Sequence, residues 1–438
     1  MITQTRLPFK IEKTKENLTA HAGLAVAHEF NLAVGLGRLL DVHLPPPGSN
    51  RGHKPAEWIM PLILMLQGGG QDLTDIKVIV QDTALRRACR LEKIPNESTL
   101  GDLLRRTGAR PQAMHGLAAV HTALTKTMLL EGTTTDFTLD VDATIILADK
   151  HDATVAYDGT KGYHPMLGFL AENRWLIHDE FRTGSASPQV GIVDFIDTCR
   201  SRMPEGCRIG KFRSDSAAYN HHVTDHCAKH NMLFAIGADW DAAVIKLYNK
   251  LTNDDWSPYT PSGSRKPRQV AQTVHTFEKS RNSFRLIFVR DADPQKELFP
   301  SCRRGRAIIT NISHDTPAAD VVEWYNQRGA AENHIKEVKY GFGLRRVPCG
   351  QLAANAAWCR IAAIAYDLFL MQQALALPEH LATSSVTTVR WRLYNIAARL
   401  VRHGRRLILK IAADTCAIRL LQNIRCVAHR LAAQFAFT

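Results

Sequence analysis

The sequence predicts an α/β fold with helical regions at both ends, and three observations carry the prediction. Up to about residue 130 the apolar residues recur at helical spacing. At Asp136 the pattern changes to short β-type runs that later alternate with helical ones. After residue 353 the spacing is helical again and becomes strongly basic. Composition agrees with a folded chain: of 438 residues, 45% are apolar and 22% charged, which excludes wholesale disorder. A chain of this length is expected to divide into several domains.

In order, the helical segments of 1–132 include one from Trp58 to Gln67, stopped by Gly68–Gly70, and one over 98–106 with Ser98 as N-cap and Arg105 and Arg106 at its far end. The latter has the form of a helix that reads a DNA groove, and equally of a surface helix. Strands are predicted over 138–147, 154–157 and 174–181. A helix opened by Ser187 and Pro188 follows, then a strand over 208–213, a helix over 216–230 and a strand over 232–238. Three strands followed by alternating helix and strand is the element order of a ribonuclease H-like core. Residues 241–306, rich in Pro, Ser, Arg and aromatics, read as a β-rich insertion with strands over 270–277, 284–289 and 306–310. A strong helix begins at Thr316-Pro317 and runs to about Tyr340. The expected organisation is therefore a helical region over 1–132, a first core part over 133–240, the insertion over 241–306, a second core part over 307–376 and a basic helical region over 377–438.

Charge narrows the partner. Lys and Arg number 55 against 42 Asp and Glu, a net charge of +13, which points to a polyanion. Residues 381–438 hold ten Arg or Lys against one acid, Asp414. Within them Arg402, Arg405 and Arg406 cluster, as a sequence-blind phosphate grip would require. The nine cysteines show no C-x-x-C pair and no His at zinc-finger spacing. With a polar N-terminus and no apolar run of about 18 residues, the expectation is a cytoplasmic protein with reduced thiols.

The acidic residues carry the chemistry. Asp140 and Asp142 lie two apart on the first predicted strand and share one face. Asp215 follows the fourth strand, adjacent to the first in such a sheet. Glu332 lies on the helix beyond the insertion. An all-carboxylate set suits Mg²⁺ or Mn²⁺, and two ions about 3.5–4 Å apart activate an attacking oxygen and stabilise a leaving one. At about 100° per residue, Tyr325, Arg328, Glu332 and Lys339 fall within a roughly 60° arc, beside a buried face of Ala331, Ile335 and Val338. A solvated salt-bridge stripe has no need of the Tyr or the distant Lys; a site that holds metal and phosphate does.

The spacing Tyr325-x2-Arg328-x3-Glu332-x6-Lys339 resembles the Y-R-E-K signature of DDE transposases from bacterial insertion sequences. The segment from Phe137 to Thr144 resembles that family's first Asp block, and Arg213-Ser-Asp215-Ser its second. Gly162-Tyr-His-Pro165, the stretch from Asn355 to Leu368, and the stretch from Gly68 to Leu100 are also similar, so the resemblance spans about residues 25–370. It implies an enzyme that binds the terminal inverted repeats of its element, nicks double-stranded DNA with two Mg²⁺ (or Mn²⁺) ions, and joins the 3′ ends to a target, as a homodimer in the DNA complex. Carried over by position, Asp142, Asp215 and Glu332 would be the catalytic metal ligands, with Asp140 the alternative first Asp. Arg328 and Lys339 would contact phosphates, and Tyr325 would position the cleaved end. Trp256 is the candidate for trapping a flipped base. Two other readings share these residues: a nuclease that never joins ends, and an inactive DNA-binding derivative.

Overall fold

The computed structural model describes residues 9–263, 266–292 and 305–435. Parts of the predicted insertion (264–265 and 293–304) and both chain ends lie outside them. A short strand, β1 (Leu18–Thr19), leads into seven helices: α1 (Ala22–Ala33), α2 (Leu36–His43), α3 (Pro55–Gly68), α4 (Ile76–Gln81), α5 (Thr83–Ala88), α6 (Glu97–Gly108) and α7 (Pro111–Leu130). The groove-reading candidate is α6, and its cap is Asn96 rather than Ser98: the Asn96 side chain accepts from the Thr99 amide at 2.8 Å.

The core begins with β2 (Asp136–Ala143). Three short strands, β3 (Ile146–Leu147), β4 (Thr154–Val155) and β5 (Lys161–Tyr163), form a small separate sheet. Then come β6 (Met166–Leu170), β7 (Leu176–Glu180), α8 (Ile192–Ser201), β8 (Arg208–Ser214), α9 (His221–Lys229), β9 (Leu233–Ala238) and α10 (Ala242–Tyr248). The predicted second strand at 154–157 is thus β4 of the side sheet, and the true second strand of the main sheet is β6. All five residues of β6 are buried, so it lacks the alternation by which a half-exposed strand is recognised. The helix expected from Ser187 starts only at Ile192, with Gly191 in the left-handed region (φ +81°) as its N-cap.

The predicted insertion is not a separate layer. Its strands β10 (Ser257–Tyr259), β11 (Arg268–Thr276) and β12 (Ser283–Asp291), with β13 (Arg306–Thr310), continue the main sheet, whose nine strands run β10-β11-β12-β13-β9-β8-β2-β6-β7. β2, β8 and β9 are mutually parallel; all other neighbours are antiparallel.

The helix predicted over 316–340 is divided into α11 (Ala318–Asn326), α12 (Gly329–Lys336) and a π turn over Glu337–Gly341. Behind it runs α13 (Leu352–Ala376), buried along most of its length against α3, α6, α7 and β7. Its Asp367 carboxylate meets His121 Nε2 on α7 at 2.6 Å and accepts from the Leu176 amide on β7 at 3.0 Å, so one buried side chain ties three elements together. Among the described residues no helix is long and apolar enough to cross a membrane.

The carboxyl-terminal region departs from the helical expectation. After the single turns α14 (Glu379–Ala382) and α15 (Val386–Val389) comes a β-hairpin, β14 (Ala398–His403) and β15 (Arg406–Ile411), and only then the helix α16 (Thr415–Phe435). Gly404 and Arg405 both have positive φ (+54° and +63°) between the paired His403 and Arg406, a two-residue turn whose twist suits a hairpin. β14 also pairs with β1, so the two ends of the chain share one small sheet.

Close approach of α6 to α13 depends on Gly108, where an added Cβ would lie 2.0 Å from the Ala353 carbonyl oxygen. Gly108→Ala is expected to lower unfolding free energy by about 2 kcal/mol or more through forced separation of the helices, measurable by urea denaturation.

Candidate active site

The site is built where parallel strands end. β2 and β8 pair in register up to Val141 opposite Ser214, so Asp142 and Asp215 occupy the next position on each strand. Asp215 leaves the sheet as the cap of a 3₁₀ turn, its carboxylate accepting from the Ala217 amide at 3.0 Å. Glu332 reaches the same place from α12 and is the most open of the three, with its side chain about half exposed (56%).

Arg328 stands among these acids. Its guanidinium is 3.3 Å from Asp142 and 3.9 Å from Glu332, and lies 6.0 Å from the centre of the Tyr325 ring. Burial works against its charge, but Tyr325, Asp142 and Asp215 outweigh that and hold its pKa above the usual value. Its Nε is buried without a hydrogen-bond partner. Asp142 is pushed up from 3.8 to about 6, chiefly by burial and then by repulsion from Asp215, with Glu332 adding to it and Arg328 opposing. Three carboxylates with one arginine are an under-neutralised set. An all-oxygen donor group that repels itself fits a hard divalent cation, and Asp142, Asp215 and Glu332 are the residues that could hold one.

Asp140 does something else. It is 2% exposed and clamped by Arg213, with Nε at 2.7 Å and Nη2 at 2.8 Å from its two oxygens. Both oxygens are committed to this bidentate pair, so Asp140 has no free face for metal. Arg213 goes on to donate to the Trp324 carbonyl at 2.7 Å and lies 3.4 Å from Gln327 Oε1. That carbonyl would otherwise accept from the Arg328 amide in the helical ladder. Arg328 instead donates to Tyr325 at 3.0 Å, one residue tighter, and the helix divides there. Sequence reasoning gave Arg213 no role of its own; in a strand that also carries Arg208 and Lys211, nothing in the sequence marks Arg213 as the buried one that faces Asp140.

Tyr325 is buried, its hydroxyl close to Gly237 and the Asp215 backbone, and burial raises its pKa. Lys339 lies on the π turn and donates to Thr144 Oγ1 at 3.0 Å and to the Ile145 carbonyl at 2.8 Å, at the exit of β2. Burial lowers its pKa. All four residues of the predicted arc therefore face the end of β2 or β8, but through a kinked helix. Trp256 is a correction: it is 8% exposed, with the Arg290 guanidinium 3.9 Å above its ring and Tyr248 edge-on at 5.8 Å. A ring packed on these sides does not receive a flipped base. Arg402, Arg405 and Arg406 lie far along the chain on the hairpin, are exposed, and make no ion pair with a described residue.

A mixed nine-stranded sheet that gathers carboxylates at the ends of its parallel strands defines a protein with an oxygen-donor set suited to a divalent cation. The chain matches the family described as Transposase DDE domain group 1 over residues 3–432, and it belongs to that family. It is a DDE transposase, an enzyme of DNA cleavage and strand transfer. No curated protein matches it. Solved structures similar to it include a cryo-EM structure of the piggyBac transposase synaptic complex with hairpin DNA, at 9% identity and a TM-score of 0.41, covering 96% of this chain and 83% of that one.

The Asp142 shift has a definite sign for stability. Because the folded-state pKa lies above the unfolded value, the native state favours the neutral acid, and this contribution is lost as pH rises through about 6. Metal-free Asp142→Asn is therefore expected to be more stable than the parent at pH 7.5, by on the order of 2 kcal/mol, while the two converge near pH 4. Chemical unfolding in chelator at both pH values checks this.

Proposed function

We propose that this transposase binds the terminal inverted repeats of a bacterial insertion sequence, and cleaves and joins their ends in a single site on a ribonuclease H-like core. Two Mg²⁺ ions (Mn²⁺ serving as well) would be held by Asp142, Asp215 and Glu332. The observation that carries the reading is the meeting of Asp142 and Asp215 at adjacent strand ends, with Glu332 and Arg328 brought to them by α12. The β7-β6-β2-β8-β9 half of the sheet, three antiparallel strands followed by two parallel ones, supports the ribonuclease H-like assignment.

The ions would polarise the scissile phosphate and activate the attacking water or 3′-OH. The protein's own groups prepare the site. Asp142 must be ionised to ligate; burial and its acidic neighbours raise its pKa to about 6, so the ligating form predominates only above that pH. Arg328 neutralises the carboxylates until cations arrive, and is then released toward a phosphate. Tyr325 places its hydroxyl against Gly237 of β9, beside the turn that Asp215 opens. Lys339 secures the exit of β2. Two copies would assemble on paired element ends, and the hairpin arginines would hold the flanking duplex by its backbone.

Asp215→Asn is expected to abolish Mg²⁺-dependent cleavage of a duplex carrying the element's terminal repeat, and strand transfer of precut ends as well, while leaving duplex binding in place. Retained cleavage in that variant refutes the metal assignment; cleavage without strand transfer by the parent favours the simple nuclease. Separately, the triple variant Arg402→Ala, Arg405→Ala, Arg406→Ala is expected to weaken binding of specific and unrelated duplexes alike. It should flatten the slope of log affinity against log salt by roughly 2–3 units, at about 0.9 for each phosphate no longer neutralised, as read by fluorescence anisotropy.

A further inference from the structure

α8 and α9 pack side by side, and three metal-competent side chains meet between them. Asp197 projects from α8; His226 lies on the last turn of α9 and His230 is the residue that caps it. Their ligand atoms all fall within 4.8 Å of one another. His226 Nε2 is 3.0 Å from Asp197 Oδ1, and the two imidazole centroids are 4.5 Å apart. Two donors bound at about 2.0–2.1 Å to a tetrahedral ion stand roughly 3.3 Å from each other, so only small side-chain adjustments separate this arrangement from a coordination shell.

Two details favour a cation site over an ordinary ion pair. His226 Nε2 is buried and makes no hydrogen bond despite its nearness to the carboxylate. The centre also already holds a cation: Arg200 places Nη1 3.0 Å from Asp197 Oδ1 and Nη2 3.3 Å from His230 Nδ1. Accepting from a guanidinium requires a neutral imidazole with a free lone pair, so in this arrangement His230 Nδ1 presents a lone pair to the centre. The Arg200 side chain is about one-third exposed (31%) and has room to swing out. A neighbouring cleft lined by Val193, His222, Asp225, His226 and Lys229 gives access.

We propose that Asp197, His226 and His230 form a second metal site, for a first-row transition ion of the Zn²⁺ class, with its remaining position open to water. Two imidazoles and one carboxylate select such an ion over Mg²⁺, so this site differs in chemistry from the carboxylate site. The ion clamps α8 to α9, the helix that follows Asp215.

The test titrates Co²⁺ and Zn²⁺ into the full-length protein under saturating Mg²⁺. An Asp142→Asn, Asp215→Asn variant is expected to bind one Co²⁺ per chain with visible absorption of low-symmetry coordination, displaced by Zn²⁺. His226→Ala, His230→Ala is expected to lose that absorption and the Zn²⁺-dependent rise in unfolding temperature, with its metal-free unfolding temperature unchanged. Should the double variant fold poorly, His230→Asn alone reads the same loss. No uptake by the parent, uptake that survives the histidine substitutions, or uptake abolished by the Asp142 and Asp215 substitutions overturns the proposal.

Discussion

The buried pair of Asp140 and Arg213 sets the geometry on which the site depends. It joins the two strands whose ends carry Asp142 and Asp215. Through Arg213 it also seizes the Trp324 carbonyl, and so decides where α11 stops. The next residues are Arg328 at the start of α12 and, one turn on, Glu332. One guanidinium thus fixes the strand spacing and the approach of the helix that delivers the third acid. Burial raises the pKa of Asp140 while Arg213 opposes this, as expected for a pair whose attraction offsets a desolvation cost. Removing one partner of such a pair costs about 3–5 kcal/mol, and here the loss would also free the helix to regain its straight ladder. Asp140 and Asp142 share a sequence motif and a sheet face but differ in surroundings: one is consumed in holding the frame, the other stands among acids with a single arginine to offset them.

That lack of satisfaction is the second constraint. A carboxylate pushed to about 6 sits poorly in the folded protein, and Arg328 only partly relieves it. Structures hold such groups where function needs them and stabilise them elsewhere. The compensation is visible in the tie between Asp367, His121 and the Leu176 amide. It is also visible in Arg390, whose guanidinium donates to the Leu66, Gln67 and Gly341 carbonyls and anchors the π turn that bears Lys339.

Much of this is legible in the sequence, for identifiable reasons. β8, β9 and β13 fall within about a residue or two of their predicted bounds: β9 and β13 are short, largely apolar runs, and β8 alternates basic with apolar residues between turn signals. The arc of Tyr325, Arg328, Glu332 and Lys339 is legible because helical periodicity survives a kink of one residue. Non-local facts are not. β6 reads Met-Leu-Gly-Phe-Leu, buried on both faces, and only its partners distinguish it from a helical fragment. The pairing of β13 with β9, which turns the insertion into a continuation of the sheet, joins segments about seventy residues apart and leaves no mark in either. The hairpin does leave one, Gly404 between basic residues, but a run of arginines at near-helical spacing obscures it.

The basic carboxyl-terminal region shows why counting charge overstates a binding surface. Of its ten cations, Arg390 is buried among backbone carbonyls, Arg399 faces Glu16 at 3.2 Å, and Arg425 is bidentate to Glu29 on α1. Arg390 is spent inside the protein, and Arg399 and Arg425 tie the carboxyl-terminal region to the amino-terminal one. The acids that neutralise them lie almost 400 residues away, so a window over the last 58 residues could not see them. What remains is concentrated on the hairpin, where a rigid two-residue turn presents Arg405 and its neighbours to solvent. A turn held by backbone pairing has less backbone entropy to lose on binding than a mobile tail, which is why the proposed phosphate grip is placed on these arginines rather than on the net charge of the region.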